Sequence, residues 1–195
     1  MEMTIELFNE YKWVSVIVHV FSVIVGMGSA LISDVMFNTF LADFKISKIE
    51  NKILSLLSNI IWISLFMILL SGIAIFISNP EQYMNSDKFI LKMFIVCVII
   101  INGYLFQRFV HPALLKFRFS DTNLNHKYVK LRKLSFALGA VSFISWMLAF
   151  VLGSIDFIPF SFHQSIGFYF GILSFGIVMS QFLEIHISRK TINKK

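Results

Sequence analysis

The sequence predicts an all-α fold, a bundle of five transmembrane helices forming one domain over residues 1–195. Hydrophobic residues make up 57% of the chain and charged ones only 14%, with 23 phenylalanines, more apolar matter than a water-soluble domain of this length needs. Five apolar runs have the length, about 17–25 helical residues, that crosses a hydrocarbon core about 30 Å thick. The runs do not alternate apolar with polar positions, as 60–77 illustrates, so they read as helices and not as barrel strands.

The first span is expected over 13–37. The segment before it, MEMTIELFNEYK, carries three glutamates and lacks the basic start and small-residue cleavage site of a signal peptide, so the first run is read as a retained helix. The second span, 54–77, ends at SNPEQYMNSDK, where Pro80 lacks a donor and disfavours helix in the residue before it. The third is expected over 89–106, the fourth over 134–154 after the long polar link 107–133, and the fifth over 157–183. No internal repeat or second domain is visible.

Lysine and arginine set the orientation. Fourteen of them fall in the first and third links and at the C-terminus, against Lys12, Lys88 and Lys92 on the other side. Short basic links stay in the cytoplasm, so the N-terminus is expected outside and the C-terminus inside, in the plasma (inner) membrane. The net charge of +6 then reflects topology and attraction to anionic lipid of the bilayer, and calls for no nucleic acid.

Ionisable groups inside a span are costly and are functional candidates by default. Four need an account: His19, Asp34, Lys92 and His163. His19 lies six residues after Trp13, His163 six after Phe157, and Lys92 about one turn into the third span. Counted from the outer helix ends, these three share one depth. From His19 the helical spacings reach Ser22, Gly26, Ser29 and Ser33, and from His163 they reach Gly167 and Gly171. Such small-residue stripes allow close helix packing, and they equally leave a slot for a flat ligand.

Neutral imidazole ligates haem iron, zinc or copper. Lysine supplies a donor and a charge that suits a propionate, although this near a helix end it also reaches water by snorkelling. Asp34, near the inner end of the first span, is expected to meet Arg108, Lys45 or Asn102 in a structural role. His111, His126 and His186 fall at the inner surface among basic residues and are expected to be solvated. Cys97 is the sole cysteine, and the methionines are scattered and not at copper-binding spacing. The signatures GxSxG, HExxH, CxxC and a phosphate loop are missing.

The stretch YKWVSVIVHVFSVIV, with an aromatic start and a histidine one and a half turns in, resembles the first helix of the HemJ-type protoporphyrinogen oxidases and their CopD-like membrane relatives. KFILKMFIVCVIIINGYLF resembles the later helix of that family that opens with a lysine. The resemblance covers these two helices and departs after the first, at SDVMFNTFLADF. It implies that His19 ligates haem b, that Lys92 is essential, and that the bundle oxidises a porphyrinogen with electrons passing to the quinone pool. His163 is added as second ligand from its depth alone. Ser22, Gly26, Gly167 and Gly171 would then line the macrocycle. The competing expectation is a non-enzymatic membrane protein: a small copper or solute permease, a homo-oligomer, or a subunit of a larger membrane complex. For a permease, Asn102, Ser142 and Ser145 are the polar groups that would continue a path through the membrane.

Overall fold

The structure, a computed structural model, describes residues 8–40, 47–112 and 126–192; the side chains of 38, 40, 126–128 and 188–192 lie outside the description. All the regular elements among the described residues are helical: α1 (Lys12–Phe40), α2 (Lys48–Ser78), the short α3 (Pro80–Met84), α4 (Asp87–Leu105) continuing into a π-helical turn (Phe106–Val110), α5 (His126–Ser154) and α6 (Phe162–Ile192). Five of them are long and apolar enough to cross a membrane, and the protein is a multi-pass membrane protein. Large apolar side chains such as Phe21, Val35, Ile63 and Phe175 are exposed along these helices, as expected where the surrounding solvent is lipid and not water.

Local chemistry sets the helix ends. Ser47 and Glu50 form a reciprocal capping box at the start of α2. Asn79 and Pro80 end α2 and open α3, and Ser86 caps α4 by accepting from the Phe89 N–H. The turn expected at Ser78–Lys88 is therefore present and holds one helical turn. The fifth span begins later than expected. Pro159 keeps the chain before it out of helix, and Gln164 Oε1 accepts from the Ser161 N–H, so α6 starts at Phe162.

α1 packs along α2, while α5 sits centrally against α1, α4 and α6. Ile95, Trp146, Tyr169, Leu65 and Ile68 anchor the main core. A second cluster of Phe37, Leu54, Val110 and Phe136 lies at the opposite end of the bundle from His19. Close approaches need glycine at two places. A Cβ on Gly26 would stand 2.9 Å from the Trp146 ring and 3.0 Å from Ser64 Cβ, and one on Gly176 would overlap Ile144.

Candidate functional site

His19 is held from α2. Its Nδ1 lies 3.0 Å from Ser71 Oγ and 3.2 Å from the Ile68 carbonyl, while Ser71 donates to the carbonyl of Met67 at 2.6 Å. The carbonyl of Ile68 is an acceptor only, so it selects the tautomer with the proton on Nδ1 and leaves a lone pair on Nε2. Nε2 has no hydrogen-bond partner among the described residues.

The ring borders a cavity of about 650 Å³ between α1, α2, α4 and α5, well within the range of small-molecule and cofactor sites. Its walls are largely apolar and aromatic: Val23, Phe76, Tyr83, Phe89 and Trp146 contribute. Phe76 stacks on Phe89, and Tyr83 leans on both. Lys92 enters from α4. A Cβ on Gly153 would stand 3.3 Å from Lys92 Nζ, so the glycine leaves room for the ammonium. One turn earlier, Lys88 donates to the carbonyls of Ile155 and Asp156 and ties α4 to the end of α5. Lys92 has no such tether and no ion pair among the described residues, and it borders a mainly apolar cavity whose wall also includes Lys88 and Asp156.

His19 and Lys92 are thus brought together, whereas His163 does not join them. The count that gave its depth started at Phe157, which lies in the link before α6; His163 is the second residue of the helix. It is exposed beside the Phe162 ring and lines neither cavity. Gly167 and Gly171 share its fate, because a Cβ on either would meet nothing within 4 Å. The α6 stripe neither packs closely nor borders a slot. The α1 stripe packs: Ser22 is buried and donates to its own Val18 carbonyl, and Gly26 abuts Trp146 and Ser64. No group of three or more His, Cys, Asp or Glu side chains among the described residues is arranged to hold a metal ion, so an iron at this site would depend on a macrocycle and a single imidazole.

The other end of the bundle differs from expectation. Asp34 makes no ion pair among the described residues. Arg108 is exposed, Asn102 uses its amide to donate to the Leu138 carbonyl, and Lys45 falls outside the described residues. Asp34, Asn102 and His111 instead border a smaller cavity of about 110 Å³. His111 is therefore not simply solvated; burial lowers its pKa below the ordinary histidine value, which keeps it neutral at pH 7. His186 is exposed as expected, and the side chain of His126 falls outside the described residues. Nearby, Arg132 and Glu184 form a buried ion pair between α5 and α6. Ser145 is occupied by a 2.8 Å hydrogen bond with the Tyr169 hydroxyl.

No family model matches this chain, and neither does any curated protein or solved structure.

Proposed function

We propose that this is a haem b-binding, redox-active protein of the plasma (inner) membrane, with its N-terminus outside and C-terminus in the cytoplasm, and with His19 as the axial ligand. One observation carries the reading: the Nδ1 side of His19 is fixed by Ser71 and the Ile68 carbonyl, leaving Nε2 without a partner among the described residues beside a large, mainly apolar cavity. An imidazole whose other nitrogen donates to a backbone carbonyl is the arrangement that orients a metal-binding histidine and raises its basicity. The donor set fits the group. His19 supplies one neutral nitrogen, the aromatic walls suit a flat apolar macrocycle, and the Lys92 ammonium suits a propionate. Haem b, when bound, supplies one-electron chemistry at its iron.

The chain's own contribution is orientation, charge and dryness. Ser71 and Ile68 hold the imidazole ring, Lys92 holds an anionic edge, and Phe76, Phe89 and Trp146 exclude water. Together with the resemblance of α1 and α4, these features point to porphyrinogen oxidation with quinone as acceptor. A second reading, a small copper or solute permease or a subunit of a larger complex, is favoured by the second cavity, which shares Leu65, Ile99 and Trp146 with the first.

An absorption spectrum of the purified protein, oxidised and then reduced with dithionite, tests the reading. The expected result is a b-type reduced-minus-oxidised difference in the parent that vanishes in His19→Ala. A parent with no haem spectrum, even after expression with added haem precursor, would overturn it.

A further inference from the structure

The cavity at the Asp34 end is bordered by three buried side-chain atoms with no hydrogen-bond partner among the described residues: Asp34 Oδ2, Asn102 Oδ1 and His111 Nε2. They come from α1, from α4, and from the residue that ends the π-helical turn. Buried polar atoms are almost always paired, because each one left alone costs roughly 1–3 kcal/mol and a charged one more. Three orphans around one space mark a place where something else completes the bonding. The π turn adds a residue to its coil and brings Phe106, Gln107 and His111 to the cavity wall; such turns are frequent at functional sites.

The chemistry of the orphans identifies the guest. A carboxylate oxygen and an amide oxygen are acceptors only, and a neutral imidazole nitrogen accepts in one tautomer. Ser55 and Ser58 add hydroxyl oxygens, and among the described residues no lysine or arginine lines the space. An anion is therefore disfavoured. A divalent ion would leave an excess positive charge in a low-dielectric interior, since Asp34 is the one acid in the wall among the described residues and Glu184 is already paired with Arg132. A single positive charge balances Asp34. The indoles of Trp62 and Trp146 also border the space, and aromatic faces favour a cation over a neutral guest. About 110 Å³ gives room for roughly three water-sized groups at ~30 Å³ each, enough for an alkali or ammonium ion with its remaining hydration.

We propose that this cavity is a binding site for a small monovalent cation, held by Asp34 and Asn102 with His111 at its edge. The site stands apart from His19 and does not depend on whether haem is bound there. Oxygen ligands of this kind suit hard cations, and the ion would complete the bonding of α1, α4 and His111 across the cavity.

The test is a titration of purified protein in detergent with sodium, potassium or ammonium chloride, each replacing choline chloride at constant ionic strength, read by melting temperature and tryptophan fluorescence. The expected result is a saturable rise in melting temperature with at least one small cation, whose rank order identifies the ion. The half-saturating concentration should rise at least about tenfold in Asp34→Asn, the effect of losing one charge-assisted contact. Should Asp34→Asn fail to fold, His111→Ala takes its place: weaker binding supports the site and unchanged binding overturns it. Choline acting as well as sodium, an unchanged midpoint in Asp34→Asn, or a response to pH with none to any cation would each overturn the proposal.

Discussion

The two cavities share part of one wall and differ in almost everything else. At the His19 end the space is large and mainly apolar, about 650 Å³, and one imidazole nitrogen is anchored while the other has no partner among the described residues. At the Asp34 end the space is about 110 Å³, and acceptors from α1, α4 and His111, just after the π turn, border it without partners among the described residues. The comparison shows how a buried polar group indicates its guest. A single oriented nitrogen in a wide apolar space fits a large flat ligand that brings its own bonding, whereas several acceptors around a small space call for a guest that supplies positive charge.

The Asp34 end also sets a paired acid beside an unpaired one, and this contrast carries the largest expected effect. Glu184→Ala strands the buried guanidinium of Arg132 and should lower stability by about 3–5 kcal/mol, read as a large fall in melting temperature in detergent. Asp34→Asn strands no fixed cation, so its fall in choline buffer should be much smaller. Equal losses would mean that Asp34 is paired after all.

At the His19 end, Ser71→Ala removes one of the two groups that hold Nδ1. Haem affinity is expected to fall about 10- to 100-fold, as for other changes behind a metal ligand, measured by competition with a haem-binding acceptor protein. Lys92→Ala should give a graded loss of retention or a shifted redox potential. Unchanged affinity in both variants would remove the case for an organised site.

The two glycine stripes supply a smaller, matched pair. Gly26→Ala forces a Cβ against Trp146 and Ser64 and should cost about 1–3 kcal/mol as overpacking between the two cavities. Gly167→Ala meets open space and should be neutral or slightly stabilising, by less than about 1 kcal/mol, through helix propensity. Thermal unfolding of the two variants side by side reads the difference.

These contrasts also mark what was legible in the sequence. Five spans follow from run length and from punctuation such as Pro80, because the bilayer imposes both. His19 and Lys92 stand out in the sequence because they are ionisable groups within apolar runs, and the structure places both at one cavity. His163 was misplaced because Pro159 moves the helix start to Phe162, and depth counted from the wrong end misleads by more than a turn. The α1 and α6 stripes look alike in sequence; only their neighbours, Trp146 and Ser64 for one and open space for the other, distinguish them. Arg132 and Glu184 sit at the ends of their apolar runs, 52 residues apart, so nothing local announces the pair. The π turn, which places His111 at the cavity, leaves no recognisable pattern in FQRFV.

Stoichiometric titration of haem-free protein with haemin decides between His19 and His163 as the residue that would receive haem. The expected result is a saturating absorbance change at one haem per chain in the parent, its loss in His19→Ala, and its full retention in His163→Ala. Saturation unchanged in His19→Ala, or abolished in His163→Ala, would contradict it.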